Sequence, residues 1–248
     1  MIIAIIQARV GSKRFPNKVM KYLEDKTVLE HVVNRVKKSR YIDEVFVATT
    51  IDKKDLAILQ LCSAKHMRVF CGAEEDVLDR FYQLAKLLHP NHIVRITSDC
   101  PVIDPKIIDL IIETHLKLNS DYTSNTIIDS YPDGLDTEVF SFSVLEKCWK
   151  EAKLISEREH VTPYIKKHPK LFLLHSIVSD INYADKRWTI DTESDYEFLK
   201  SIFKILYKKN HLFGMNEILQ LLEKSPSLEK INSNNIRNAG YLKSLKND

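Results

Sequence analysis

Residues 1–18 read MIIAIIQARVGSKRFPNK, and the fold turns on how this stretch is understood. Ile2–Gln7 is a continuous apolar run closed by a polar residue, the pattern of a parallel strand buried on both faces. No basic residue precedes it, and Gln7 and Arg9 end it, so it reads as a first strand rather than a secretory leader. The next residues have the opposite character. Arg9, Lys13, Arg14 and Lys18 place four cations within ten positions. Gly11-Ser12 lets the chain turn tightly and lets backbone N–H groups approach an anion. Arginine offers phosphate oxygens a fixed fork, and lysine a mobile point charge. A triphosphate carries roughly three to four negative charges near neutral pH, which four cations in one loop match. The plainer alternative is a solvated basic turn. Gly11 is the loop's single glycine, so the stretch is neither a Walker loop nor a dinucleotide fingerprint.

Outward from this stretch, strand and helix patterns alternate. Val28, Leu29, Val32, Val33 and Val36 recur at helical spacing. Glu44–Thr49 reads as a strand, Asp55–Lys65 as a helix, Arg68–Cys71 as a short strand, Asp76–Leu88 as a helix and His92–Ile96 as a strand. Asp104-Pro105 opens a further helix, with Asp suited to the N-cap and Pro to the first turn. Alternation of this kind predicts a mostly parallel sheet covered by helices on both faces. Ligands in such sheets bind outside the carboxyl ends of the strands, where strand order reverses. The loops after Ile6 and after Ile96 are therefore the first places to look for chemistry.

The second half is less regular. Asp121–Asn125 and Thr137–Phe140 read as strands joined through the Tyr131-Pro132-Asp133-Gly134 turn. Ser143–Ala152 and Arg158–Lys167 read as helices, Leu171–His175 and Arg187–Ile190 as strands, and Ser194–Tyr207 and Asn216–Leu222 as helices. From Ser225 onward the chain is polar, with Asn232-Ser233-Asn234-Asn235, and is expected to form a loosely held tail. The 248 residues carry 37 Lys+Arg against 34 Asp+Glu, a net charge of +3, with 44% hydrophobic and 29% charged residues. That balance excludes a disordered chain, and it lacks the basic surplus of a general nucleic-acid binder. No stretch approaches the ~18 apolar residues of a spanning helix, so no membrane partner is expected. Cys62, Cys71, Cys100 and Cys148 show no Cys-x-x-Cys spacing, which predicts reduced thiols in a cytoplasmic protein rather than a zinc site or disulfide framework.

Two acids complete the candidate site. Asp99 stands just past the His92–Ile96 strand, and Asp191 just past Arg187–Ile190. Two strand-end carboxylates are able to converge on one Mg²⁺, which commonly takes one or two carboxylates with phosphate oxygens and water. Each acid also suits a plainer role, Asp99 as a turn cap before Pro101 and Asp191 as the N-cap of the following helix. Trp188 is expected in the core, with Arg187 packed beside it.

These segments together resemble a known family. Gln7-Ala8-Arg9-x-Gly11-Ser12-x-Arg14-x-Pro16-x-Lys18 is similar to the opening signature of the sugar-acid cytidylyltransferases, which include the acylneuraminate and 3-deoxy-manno-octulosonate enzymes. Val77-Leu78-Asp79-Arg80, Arg95-Ile96-Thr97-x-Asp99-Cys100-Pro101, Pro132-Asp133-Gly134-Leu135-Asp136-x-Glu138 and Glu159-His160-Val161-Thr162-Pro163-Tyr164-Ile165 resemble its spore-coat-polysaccharide, SpsF-like branch more closely. The resemblance runs from Met1 to Leu206. It departs at Asn17, where a glycine is often found, a change that stiffens the loop.

The resemblance implies an α/β, GT-A-like (Rossmann-like) nucleotidyltransferase domain over residues 1–224. Its acceptor and dimerisation subregion would occupy about 120–185, with the polar tail at 225–248. It implies Mg²⁺ as cofactor, a cytoplasmic homodimer, and attack of an acceptor oxygen on the α-phosphorus of CTP with release of pyrophosphate. Gln7, Ala8, Arg9, Gly11, Ser12, Arg14, Lys18, Arg80, Thr97 and Ser98 would bind the nucleotide. Asp99 and Asp191 would hold the metal and, with Arg14 and Lys18, carry catalysis. Asp133, Asp136, Glu138, Glu159 and His160 would face a sugar acid or related acceptor made into cell-surface polysaccharide. His160 suits a general base, an acceptor contact or an exposed helix residue equally. Three other readings stand beside this one: a GT-A glycosyltransferase, disfavoured by the lack of an Asp-x-Asp motif in the middle strands; a nucleotidyltransferase using another NTP and a sugar phosphate; and a non-catalytic nucleotide-binding or scaffold protein, disfavoured because Arg9, Arg14, Lys18, Asp99 and Asp191 are all present.

Overall fold

A computed structural model describes all residues 1–248. The opening apolar run forms β1 (Ile2–Gln7), and Ile3 to Ile6 are fully buried. Its side chains alternate between two cores, one on each face of the sheet. Ala4 and Ile6 join one, and Ile3 and Ile5 join the other. Each buried Ile of this kind contributes about 1.5–3 kcal/mol relative to leaving it in water.

After β1 come a small hairpin, β2 (Tyr22–Leu23) and β3 (Lys26–Thr27), and α1 (Val28–Val36), whose first turn is closed by a Thr27–Glu30 capping box. The alternating elements are β4 (Glu44–Thr50), α2 (Leu56–Ala64), β5 (Arg68–Gly72), α3 (Val77–Leu88), β6 (His92–Thr97) and α4 (Pro105–Leu118). Asp104 caps α4 by accepting from Lys106 N at 2.9 Å, with Pro105 in the first turn. The second half contributes β7 (Tyr122–Ser124), β8 (Glu138–Ser141), α5 (Phe142–Glu151), α6 (Ile155–His160), α7 (Pro163–Lys167), β9 (Leu174–Ser176), α8 (Glu193–Leu206), α9 (Met215–Lys224) and α10 (Ala239–Ser244).

The seven-stranded sheet has the order β5-β4-β1-β6-β8-β7-β9. Four of its six pairings are parallel, and the two made by β8 are antiparallel, so the sheet is mostly parallel as expected. Helices α1, α2, α4, α8 and α9 supply the core on one face, and α3, α5 and α7 the core on the other. The chain runs outward from β1 to β4 and β5, then returns to place β6 on the other side of β1. Strand order therefore reverses between β1 and β6, where Gln7 lies opposite Thr97 at the carboxyl ends. No helix is long and apolar enough to cross a membrane.

The structure differs from expectation in the second half. Arg158–Lys167 is not one helix. Val161 has φ 72, and Pro163, which lacks an N–H and cannot sit inside a helix, opens the separate α7. Arg187–Ile190 is extended but touches strand structure only through one bridge, Asp133 to Arg187. Its backbone bonds go to loops: Trp188 N donates to Asp133 O at 2.6 Å and Ile190 N to Asp99 O at 2.9 Å. The third strand of this half starts at Leu174 rather than Leu171. The segment from Ser225 is not loose; it carries a 3-10 turn (Pro226–Ile231) and α10, and it is hydrogen-bonded to the rest of the chain.

Candidate active site

The cationic loop leaves β1 at the switch point and is held by buried groups. Ala8 N donates to Ala48 O at 3.0 Å, continuing the β4 pairing, and Val10 N donates to Asp55 Oδ1 at 2.7 Å. Asn17 N returns to Val10 O at 3.1 Å, closing the loop. Asn17 has φ 58, in the left-handed region that Gly and then Asn tolerate best, so the departure from the family glycine costs little here. This bend turns Lys18 inward, to 8% exposure, while Arg9, Gly11, Lys13 and Arg14 stay at the surface.

Lys18 is the meeting point. Its Nζ donates to Asp99 Oδ2 at 2.6 Å and to Asp191 Oδ1 at 2.7 Å. The loop and the two acids, separated by 81 and 173 positions, thus reach one point. Asp191 Oδ2 also pairs with Arg14 at 2.9 Å and with Arg187 at 3.2 Å. Neither acid takes its plainer role. Thr192, not Asp191, caps α8, and the Asp99 carboxylate is spent on Lys18 rather than on a turn. Burial lowers the Lys18 pKa, but Asp99 and Asp191 outweigh it and hold the ammonium above its ordinary value. Burial raises Asp191, but Lys18 first, then Arg14 and Arg187, holds it below.

The remaining nucleotide candidates divide. Ser98 N donates to Gln7 O at 3.3 Å, so the strand-end backbones of β1 and β6 stay in register, and Thr97 Oγ1 bonds Cys100 Sγ at 3.2 Å. Gly11 has open space where a Cβ would stand, and Ser12 Oγ accepts from Phe15 N at 3.4 Å. Arg80, expected to hold nucleotide, is 2% exposed. Its guanidinium donates to Ala73 O at 2.9 and 2.5 Å and to Glu74 O at 2.9 Å, making it a strut for the loop after β5 instead.

The acceptor candidates divide as well. Gly134, at φ +115, lets residues 133–135 run so close to Trp188 that a Cβ would meet its carbonyl at 2.6 Å. That contact brings Asp133 Oδ2 to Arg187 Nη1 at 2.6 Å. Arg187 also pairs with Asp195 at 3.0 Å, and so joins the acceptor turn to the Asp191 station. Burial, then mutual repulsion with Asp136, raises the Asp133 pKa; burial likewise raises Asp136 against the pull of Arg237. Glu138 is 3% exposed and fully engaged: Arg95 pairs with it, Lys166 lies at 3.1 Å, and Tyr122 and Thr162 hydroxyls donate at 2.7 Å each. Burial would raise its pKa, but Arg95 and Lys166 outweigh that and hold it far below the usual range. It therefore acts as a buried anchor instead of an acceptor ligand. Arg95 extends this anchor to Gln7 Oε1 at 3.1 Å. Glu159 lies 3.7 Å from Arg9, next to the loop. His160 is pushed down to about 4 by burial and then by Arg95, so its imidazole is neutral at pH 7.

Sequence reasoning missed Arg237, Tyr241 and Ser244, which meet Asp136, His160 and Glu159. It also missed Asp195 and Asn232 as partners of Arg187. No local motif marks any of them: most have partners far away in sequence, and Asp195 meets Arg187 from eight positions away across an irregular segment.

The family model described as cytidylyltransferase matches residues 3–225. The spore coat polysaccharide biosynthesis protein SpsF of Bacillus subtilis is 34% identical over 232 residues, 91% of this chain and 95% of its own. The 3-deoxy-manno-octulosonate cytidylyltransferase of Thermodesulfovibrio yellowstonii is 33% identical over 118 residues, 45% of this chain and 46% of its own. Among solved structures, a cytidylyltransferase from Leptospira borgpetersenii superposes with a TM-score of 0.88 at 32% identity, covering 95% of this chain and 98% of that one. By its sequence over nearly all its length, and by its fold, the chain belongs to the cytidylyltransferase family.

Proposed function

We propose that the protein transfers CMP from CTP to a sugar acid, with release of pyrophosphate, in the synthesis of a cell-surface polysaccharide. One observation carries the reading: Lys18 Nζ bonds both Asp99 and Asp191, so the cationic loop and both acidic stations share one point at the switch point of the sheet. The sugar-acid acceptor draws on the octulosonate relative, and the polysaccharide on SpsF.

Phosphoryl chemistry of this kind needs in-line positioning and neutralisation of charge more than covalent help. Arg14 and Lys18 take the β- and γ-phosphates, and Arg9 the base and ribose region. Asp133, Asp136 and Glu159 accept hydrogen bonds from acceptor hydroxyls. Neutral His160, its Nε2 donating to Ser244 Oγ at 3.0 Å, is an acceptor contact beside Glu159. The donor set suits Mg²⁺. Two hard carboxylate oxygens, from Asp99 and Asp191, converge on Lys18 Nζ, and Mg²⁺ commonly takes one or two carboxylates with phosphate oxygens and water. Asp99 and Asp191 would hold it, and it would supply neutralisation of phosphate charge.

The same reading places the enzyme in the cytoplasm, in keeping with four free thiols, and pairs it into a homodimer. The dimer contact lies in the 120–185 subregion, where the edge strand β9 is flanked by Leu173 and Val178, 58% and 52% exposed. The testing experiment is pyrophosphate release with each of the four NTPs, with Mg²⁺, against a panel of keto-sugar acids and sugar phosphates. Release with CTP and an acid supports the proposal. Release only with another NTP and a sugar phosphate, or none with any pair, refutes it.

A further inference from the structure

The C-terminal segment crosses the candidate site from one side to the other. It is anchored behind Asp191. Asn232, 5% exposed, donates to Arg187 O and to Asp195 Oδ1 at 3.0 Å each, and Asn235 donates to Asp195 Oδ1 at 2.9 Å and to Thr192 Oγ1 at 2.8 Å. From there it passes the cationic loop, where a Cβ on Gly240 would stand 3.9 Å from Arg14 Nη2. It ends against α6. The Tyr241 ring meets His160 edge-on at 5.2 Å, and Ser244 Oγ donates to Glu159 at 2.6 Å and bonds His160 Nε2 at 3.0 Å. Asp248 closes the span by accepting from Ser156 N at 2.7 Å. Asp136, Glu159 and His160, all acceptor candidates, thus have partners in this segment.

Arg237 is the cation in the middle of that span. Its Nη1 donates to Tyr131 O at 3.1 Å, and its Nη2 lies 3.2 Å from both Asp136 and Asp129. Its Nε is buried with no partner. The side-on face of the guanidinium, Nε with Nη2, is therefore only half used, although arginine's fork is built to bind both oxygens of one carboxylate. Asp129 is the partner that solvent competes for, at 45% side-chain exposure, against 28% for Asp136.

We infer that Arg237 is a specificity-determining residue of the acceptor pocket, its side-on face taking the acceptor's carboxylate in exchange for Asp129, with Tyr241 and Ser244 forming the wall beside it. The exchange swaps one carboxylate for another, so Arg237 stays paired and Nε gains the bond it lacks. The inference rests on the proposal that the acceptor is a sugar acid.

The test is a double cycle between Arg237→Ala and the acceptor's carboxylate. CTP affinity is measured by calorimetry with Mg²⁺ for wild type, Arg237→Ala and Arg237→Lys. Transfer is then measured with 3-deoxy-manno-octulosonate and with its C1 amide. Arg237→Ala should leave CTP affinity within about threefold, since Arg237 bonds Tyr131, Asp136 and Asp129 and shares no partner with Arg14 or Lys18. For wild type, amidation should lower kcat/KM about thirtyfold, the scale of a lost buried charge pair. Arg237→Ala should lower kcat/KM for the acid about as much, and amidation should then cost under about threefold, because the pair is already gone. Arg237→Lys should recover part of the preference for the acid. Losses that multiply would overturn the inference, as would wild type using acid and amide equally, or binding CTP yet transferring to neither. Failure of wild type to bind CTP is a separate result: it sinks the nucleotide reading first, and the inference with it.

Discussion

Asp99→Asn separates charge from shape at the meeting point. The asparagine keeps an oxygen where Asp99 Oδ2 now accepts from Lys18 at 2.6 Å, and Lys18 keeps Asp191 at 2.7 Å, so the loop stays in place. A hydrogen bond to a charged group is worth about 1.5–3 kcal/mol, but here a neutral acceptor remains. The Asp99 side chain is also 22% exposed, so part of the loss is screened and about 1 kcal/mol is the expected cost. For a chain of this size that lowers Tm by roughly 2–4 °C. Activity should respond on another scale. On the proposed function Asp99 would hold the cation that faces developing charge, and losing one such stabilising group typically costs about 3–4 kcal/mol, or ~10²–10³ in kcat. The assay is pyrophosphate release at saturating CTP and acceptor, with a thermal melt on the same preparation. Turnover within about threefold of wild type would show that Asp99 carries no chemistry. A collapse in Tm matching the loss of activity would show that its role is to hold the loop.

Glu138→Gln leaves Arg95 and Lys166 facing a neutral group, and breaking a buried pair in this way costs about 3–5 kcal/mol, which thermal melting at pH 7 should detect. Glu138 has a depressed pKa in the folded chain, so its contribution is complete above the ordinary Glu pKa and is lost as pH falls; the gap between variant and wild type should narrow below about pH 4.5. Gly134→Ala forces a Cβ to within 2.6 Å of the Trp188 carbonyl at φ +115, and should shift Tm downward and separate Asp133 from Arg187; an unchanged melt would refute the close-approach argument. His160 should show no imidazole titration by NMR between pH 6 and 8, since burial pushes it down to about 4. CTP should bind at least about tenfold more tightly with Mg²⁺ than without, a coupling of ~1.4 kcal/mol measurable by calorimetry.

The first half of the fold was legible because its signals are local. An apolar run, helical periodicity and the Asp104-Pro105 start each act within a few residues, and β1, α1, α4 and β6 obey them. Asp99 was legible because it follows β6 at the carboxyl edge of the sheet, whereas Asp191 reaches the same point from a segment outside the sheet, through its bond to Lys18. The failures share a cause, since each depends on contacts that no local pattern displays, whether six or seven positions away, as for Arg80, or far along the chain, as for Glu138. Arg80 sits in the right place in sequence, but three carbonyl bonds around Ala73 and Glu74 use up its guanidinium. Glu138 has the look of an acceptor ligand because nothing local reveals that Arg95, 43 positions away, neutralises it. The polar composition of the last two dozen residues suggests a loose tail. In the folded chain Asn232 and Asn235 satisfy a buried acid that no apolar side chain could satisfy.

The pairing at Lys18 also bears on how so charged a cleft stays folded. Buried cations left alone would each cost several kcal/mol, and so would buried carboxylates. Here the two sets neutralise each other: Lys18 lies between Asp99 and Asp191, Arg14 lies on Asp191, and Arg187 ties Asp191 to Asp133 and Asp195. On the proposed function, an incoming polyphosphate would draw Arg14 and Lys18 away and strand the acids, so it would bind well only with a cation in their place. A lone cation would displace Lys18 and strand the ammonium, so it would bind well only with phosphate. Each ligand would thus remove the penalty that the other would meet. A coupling between nucleotide and metal would then arise from the ion pairs of the resting site, without any large change of shape.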